Sequence, residues 1–70
     1  MKRRDFLNYI RTAADEAGVE MIRLRDRGSH EVWSCGGVRV PVPRHRELNE
    51  LTVQGTFKRL ENVLGKGWWR

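Results

Sequence analysis

Apolar residues at the start of the chain recur with the spacing of a helix. Between Arg3 and Ala17 they stand mostly three or four residues apart, which gathers them on one helical face. Gly18 follows at the place where a helix C-cap favours glycine. The pattern therefore predicts an amphipathic helix over residues 3–17. Its apolar positions are Phe6, Leu7, Ile10, Ala13, Ala14 and Ala17.

The middle of the chain changes to the alternation that is typical of strands. The segment "VEMIRLR", residues 19–25, lies between Gly18 and the turn-forming residues Asp26 to Gly28, and it predicts a first strand. Two further strands, "SHEVWSC" and "VRVPV", are joined by Gly36-Gly37. Because both glycines tolerate positive φ, the pair predicts a tight two-residue hairpin.

This hairpin also fixes which of its residues share a face. One face is apolar except for Glu31, so we expect it to pack on the helices, with Trp33 as a core anchor and Glu31 solvated at the sheet margin. Pro41 and Pro43 fall where the missing N–H group would point away from the neighbouring strand, which predicts an edge position for the third strand. The predicted pairs are Cys35–Val38, Ser34–Arg39, Trp33–Val40, Val32–Pro41, Glu31–Val42 and His30–Pro43.

A second helical pattern lies near the end of the chain, with Thr52 as its predicted N-cap and Gly65 as its end. The element order predicts a single α+β domain over residues 1–70, α-β-β-β-α. Both helices should lie on one face of a three-stranded antiparallel sheet, because each element must bury one face. A chain of 70 residues has room for only a thin core. The apolar face of the second helix consists of Val53, Phe57, Leu60 and Leu64.

Charge and cysteine content narrow the class of partner. The chain has 14 Lys and Arg residues, most of them Arg, against 9 Asp and Glu, for a net charge of +5. This balance favours an anionic partner, nucleic acid among others. The single cysteine, Cys35, cannot form an intramolecular disulfide and is predicted to be a small buried hydrophobe. No segment resembles a signal peptide or a membrane span, so we expect a cytoplasmic protein without membrane association.

The histidines raise the question of an active site. His30 is either a polar residue at the end of a strand or an acid–base group, since imidazole exchanges protons near neutral pH. The predicted hairpin brings His45 and several arginines towards the same end. RNA carries its own nucleophile, the 2′-hydroxyl, so a base, an acid and cationic stabilisation suffice to cleave it, and we expect no metal or other cofactor. The arginines in this group are Arg25, Arg27, Arg44 and Arg46.

Three other interpretations carry less weight. A serine nucleophile at Ser29 paired with His30 is not expected, because adjacent strand residues point to opposite faces. Two histidines and Cys35 lack the spacing of a metal site. Trp68 and Trp69 could stack on bases, but such residues more often cover a thin core or a partner interface.

Four segments, taken in order, resemble the HicA toxin family of toxin–antitoxin systems. They are "KRRDFL", "RGSHEVW", "VRVPVPRH" and "GTFKRLENVLG", and together they extend over nearly the whole chain. The resemblance implies a fold like that of double-stranded RNA-binding domains, a ribosome-independent mRNA interferase activity, and a cognate HicB-like antitoxin that covers the catalytic histidine. It assigns that histidine to His30, preceded by Gly28 and Ser29. His45 matches a histidine that often follows the Val-Pro segment of the family.

We therefore expect a toxin that cleaves mRNA as a metal-independent endoribonuclease, with His30 as general acid or base and His45 as the candidate complement. Two alternatives remain open. One is a non-catalytic RNA-binding module of the same fold, and the other is an interaction protein whose Trp68 and Trp69 anchor a partner. The residues predicted to bind RNA are Arg25, Arg27, Ser29, Arg44, Arg46 and Lys58.

Overall fold

A computed structural model describes the backbone of residues 1–70 and every side chain except that of Arg27. The elements follow the predicted order of a helix, a three-stranded antiparallel sheet and a second helical region, which is divided into two helices. They are α1 (Arg3–Ala17), β1 (Met21–Arg27), β2 (His30–Cys35), β3 (Val38–Pro43), α2 (Glu50–Arg59) and α3 (Glu61–Leu64).

The end of α1 explains why the first strand begins later than predicted. Gly18 adopts a left-handed φ of 70°, as its predicted capping role requires. The next amide, that of Val19, still donates to the carbonyl of Ala14 at 2.9 Å. Val19 therefore belongs to the helix cap, and β1 begins at Met21 rather than at residue 19.

A bulge at Leu24 divides β1 into two parts with different orientations. Arg23 pairs with Trp33 and Arg25 with Val32, so Leu24 is the extra residue. In a regular strand Met21, Arg23 and Arg25 would all share one face. The bulge instead keeps the first two on the core side, opposite Cys35 and Trp33, while Arg25 joins the open face of the sheet.

The hairpin from β2 to β3 has the register that the sequence predicts. All six predicted pairs are present, from His30–Pro43 to Cys35–Val38. Gly36 and Gly37 both have positive φ, 57° and 89°, as a type I′ turn requires. The strand order β1-β2-β3 confirms the edge position of β3 and explains why it tolerates its prolines.

The second helical region differs from the prediction at its start and in its middle. Asn49, not Thr52, is the N-cap, since its side-chain oxygen accepts the amide of Thr52 at 2.8 Å. Thr52 lies inside the first turn. The helix is interrupted at Leu60, where φ is −79° and ψ is −3°, and α3 ends before Gly65 as predicted.

One core joins both long helices to one face of the sheet, as predicted. Cys35 is fully buried in it, and burial raises the pKa of its thiol. Trp33 is half-buried and packs against this core. No helix in the described chain is long and apolar enough to cross a membrane. The buried apolar residues are Phe6, Ile10, Ala14, Cys35, Val40, Val42, Leu48, Val53, Phe57 and Leu60.

The two C-terminal tryptophans pack against the helices of their own chain. The indole of Trp68 lies 4.8 Å from the ring of Phe57, centroid to centroid, and its Nε1 donates to the carbonyl of Phe57 at 2.8 Å. Tyr9 donates to the carbonyl of Trp69. Both indoles therefore cover the thin core, which was one of the two roles expected for them.

Candidate active site

The turn between β1 and β2 holds the side chain of His30, which is exposed at the start of β2. Ser29 belongs to this turn and not to a strand, so strand alternation does not apply to it. Its hydroxyl oxygen lies 3.0 Å from His30 Nδ1, and the expectation that the two side chains point apart is therefore wrong. The other ring nitrogen, Nε2, has no hydrogen-bond partner among the described residues.

Arg44 closes over the same turn from the end of β3. Its backbone amide donates to the carbonyl of Ser29 at 3.0 Å, and its Nε donates to the carbonyl of Gly28 at 3.0 Å. Its Nη2 also forms an ion pair of 2.8 Å with Asp26. Arg44 is therefore bonded to both residues of the turn, Gly28 and Ser29, and the structure brings it to the turn that precedes His30.

Glu31 is the centre of an ion-pair network, not a solvated residue at the sheet margin. Its side chain is only 13% exposed, and its Oε1 accepts Arg3 Nη2 at 2.5 Å and Trp33 Nε1 at 3.0 Å. Its Oε2 lies 3.6 Å from Arg23 and 3.9 Å from Arg44. The expectation fails because these arginines come from distant parts of the chain and cover the carboxylate.

The pKa of Glu31 reflects these contacts. The hydrogen bond from Trp33 lowers it, and so do the hydrogen bond and the charge of Arg3 and the charge of Arg23. Partial burial acts in the opposite direction. The net effect is a pKa below the ordinary value, so Glu31 is a stable anion at neutral pH.

Arg25 lies on the open face of the sheet, diagonally across from His30. It pairs with Val32, which is two residues from His30 and on the same face of β2. Such diagonal neighbours are about 7–8 Å apart. Arg25 is exposed and forms no ion pair with any side chain that the structure describes. Its guanidinium is therefore available to an anion beside the histidine.

The structure does not join His45, Arg46 or Lys58 to this turn. His45 is exposed in the loop after β3 and makes no hydrogen bond with a described residue. Arg46 lines a cleft of about 250 Å³ with the cationic residues at the start of the chain. Lys58 lies on α2, where it lines a separate groove with Trp69. The side chain of Arg27 lies outside the described residues. The other residues of the Arg46 cleft are Lys2, Arg3 and Arg4.

Local sequence signals exist for two residues of the site, Ser29 and Glu31. Gly28-Ser29 stands between two alternating runs and is one of the dipeptides that predict a tight hairpin turn. Gly28 has a φ of 54°, whereas the φ of Ser29 is not positive, a pattern that fits a type II′ turn. Reading the turn there would have placed Ser29 beside His30. For Glu31 the only local signal is a charge on the apolar face of its strand.

Comparison of the chain with protein-family models, with curated proteins and with solved structures finds no significant match. The described residues also hold no cluster of three or more His, Cys, Asp or Glu side chains that could bind a metal ion. The fold and the site define a small basic α+β domain with an exposed, hydrogen-bonded histidine at one end of its sheet.

Proposed function

We propose that the protein is an endoribonuclease toxin of the HicA type that cleaves mRNA in the cytoplasm without a metal ion. The proposal includes a fold related to double-stranded RNA-binding domains and a HicB-like antitoxin as partner. The observation that carries it is the pairing of Ser29 with His30 Nδ1, while Nε2 has no hydrogen-bond partner among the described residues and Arg25 lies on the same face of the sheet. This is the arrangement that proton transfer to a bound polyanion requires.

The chemistry needs few groups. The 2′-hydroxyl of RNA attacks the adjacent phosphorus, the bond to the 5′-oxygen breaks, and the products are a 2′,3′-cyclic phosphate and a 5′-hydroxyl. His30 either removes the proton from the 2′-hydroxyl or donates one to the departing 5′-oxygen. Arg25 stabilises the charge that develops on the phosphate oxygens. Cleavage needs two proton transfers, one from the 2′-hydroxyl and one to the 5′-oxygen, and a single imidazole cannot perform both at the same time. His45 is the candidate for the second transfer.

The charge distribution also supports a polyanionic substrate. The cleft that contains Arg46 is lined only by cationic residues and opens at the start of α1. Arg3 lines this cleft and also binds Glu31, so the cleft adjoins the network behind His30. A strand of RNA that follows these charges would contact the domain at more than the cleaved phosphate.

An antitoxin would have further surface to cover along the face of the sheet that carries the histidine. Ile22 and Leu24 are 44% and 46% exposed, and Ile22 pairs with Ser34 on the open face of the sheet. A protein that covers His30 and extends along this face as far as Ser34 would also remove Ile22 from water, which favours association.

The test is RNA cleavage by purified protein in the presence of EDTA. We expect the wild type to leave 2′,3′-cyclic phosphate ends and His30→Ala to lose about 10²- to 10⁴-fold in rate while remaining folded. Arg39→Gln is the control, because Arg39 is an exposed residue of the same sheet that pairs with Ser34, away from the turn. His45→Ala tests the proposed second proton transfer and should also slow cleavage. A folded His30→Ala protein that cleaves RNA like the wild type would refute the assignment.

The same experiment separates the alternative function. A non-catalytic RNA-binding module would bind RNA with a steep dependence on salt and would leave the RNA intact. Binding without cleavage products in the wild type would therefore favour the binding module over the nuclease.

A further inference from the structure

Asp26 and Glu31 form an unusual pair of like charges. They stand directly opposite each other in the β1–β2 register, a position at which two carboxylates repel. Arginines from three different parts of the chain compensate this repulsion: Arg3 on α1, Arg23 on β1 and Arg44 after β3. The two carboxylates thus form an anionic site that binds arginine side chains, at the end of the sheet that carries His30.

The guanidinium of Arg44 contacts both this anionic site and the turn between β1 and β2. One of its edges is occupied by protein acceptors, with Nε on the carbonyl of Gly28 and Nη2 on Asp26. Nη1 faces Glu31 at 3.9 Å. Arginine normally uses such an edge to donate two parallel hydrogen bonds to a phosphate. Here that edge is already used, although the side chain is 42% exposed.

The contacts of Arg44 bear directly on the imidazole. Ser29 lies in the turn and not in a strand, and in this position its hydroxyl oxygen is 3.0 Å from His30 Nδ1. Arg44 binds the carbonyl groups of both turn residues, Gly28 and Ser29. Removing the side chain of Arg44 takes away the donor to the carbonyl of Gly28, which then bonds to water. Of its two bonds to Arg44, the turn keeps the one from the backbone amide of Arg44 to Ser29.

We propose that Arg44 is a positioning residue for His30, held in place by Asp26 and Glu31, and not a ligand of the RNA phosphate. This inference rests on the proposed function for its catalytic meaning, but the contact itself exists without RNA. The phosphate next to His30 then falls to Arg25, an exposed cation on the open face whose strand partner, Val32, is two residues from His30. The roles of the two arginines can be separated by experiment.

The first measurement uses the free protein. The ¹⁵N chemical shifts of the His30 ring report how the proton is shared between Nδ1 and Nε2, a distribution that the bond to Ser29 biases. We expect Arg44→Gln and Arg44→Lys to move this distribution in the same direction as Ser29→Ala, because lysine cannot reproduce the fork of donors. Arg39→Gln removes an exposed charge from β3 and serves as the matched control, with unchanged shifts.

The second measurement separates RNA binding from cleavage. We expect Arg44→Lys to bind RNA like the wild type and to cleave saturating RNA about 10- to 100-fold more slowly, because the imidazole is no longer held in place. Arg25→Gln should weaken RNA binding and leave the His30 shifts unchanged. Glu31→Gln should follow Arg44→Lys in both measurements.

Two results would overturn the inference. One is a set of His30 shifts that is the same in Arg44→Gln, Arg44→Lys and the wild type. The other is normal cleavage by Arg44→Lys together with RNA binding by Arg44→Gln that is weaker than by Arg39→Gln, which would make Arg44 a phosphate ligand. A wild type that cleaves no RNA would refute the proposed function instead, and the shifts of the free protein would still decide whether Arg44 positions His30.

Discussion

Arg3 and Glu31 are joined by an ion pair of 2.5 Å that ties the first turn of α1 to the middle strand of the sheet. The two residues are 28 positions apart in the chain, and both side chains are largely shielded from water. Arg3 Nε also donates to the carbonyl of Pro43 at 3.1 Å, so a single side chain connects α1, β2 and β3. These contacts hold the end of the sheet that carries His30 against the start of α1.

The Arg3–Glu31 pair should contribute measurably to stability. We expect Arg3→Gln to lower the free energy of unfolding by about 1.5–3 kcal/mol, the range for hydrogen bonds to charged groups. Arg4→Gln is the control, because Arg4 is the exposed neighbour and only approaches Asp5 at 3.9 Å. A double-mutant cycle with Glu31→Gln, followed by urea unfolding, isolates the pair. Equal losses for Arg3→Gln and Arg4→Gln would contradict the prediction.

The lowered pKa of Glu31 predicts a dependence of stability on pH. A carboxylate with a folded pKa below its unfolded value of about 4.3 stabilises the fold above that value and loses this contribution as the pH falls through the folded pKa. The difference in unfolding free energy between wild type and Glu31→Gln should therefore be full at neutral pH. It should shrink as the pH falls below the unfolded value and through the folded pKa. A difference that stays constant over this range would argue against the shift.

Gly36 and Gly37 should respond differently to substitution by alanine, although both have positive φ. A Cβ at Gly36 would lie 3.0 Å from Cβ of Val63, whereas a Cβ at Gly37 would meet nothing within 4 Å. We expect Gly37→Ala to cost about 1 kcal/mol for its backbone conformation, and Gly36→Ala to cost more because Val63 must also move. Thermal unfolding of the two variants measures the difference. If both lose the same stability, the contact with Val63 has no energetic effect.

Trp68 should matter for stability more than for partner binding. Trp68→Ala removes packing on Phe57 and Tyr9, and we expect a loss of about 2 kcal/mol in urea unfolding. Leu51→Ala is the matched control, because Leu51 is 86% exposed and should be close to neutral. Trp68→Phe keeps a smaller aromatic ring and removes the Nε1 donor to the carbonyl of Phe57, so it should cost less than Trp68→Ala. A Trp68→Ala protein as stable as Leu51→Ala would mean that the indole does not support the core.

The cationic cleft predicts an effect of Arg46 on RNA binding without an effect on the chemistry. We expect Arg46→Gln to weaken the binding of RNA and to lower the slope of log K against log salt by about one. The rate at saturating RNA should not change. The control is Arg11→Gln, since Arg11 lies over Trp33 and does not line the cleft. An unchanged salt slope would place the RNA away from the cleft.

Much of the fold is determined by residues close together in the sequence. The spacing of apolar residues and Gly18 define α1, and the Gly36-Gly37 turn fixes every pair between β2 and β3. These features depend on contacts within a few positions or across one tight turn, where backbone geometry permits few solutions. The place of β3 at the sheet edge follows from its prolines for the same reason.

The tertiary structure decided the parts of the site that depend on distant residues. No local pattern distinguishes Glu31 as the centre of a network, because its partners Arg3 and Arg44 are brought to it only when α1 and the end of β3 meet beside β2. The bulge at Leu24 likewise depends on distant residues. It keeps Met21 against the core and places Arg25 on the open face of the sheet. The sequence by itself determined which strand carries His30, whereas the convergence of opposite charges from separate elements decided how that histidine is held.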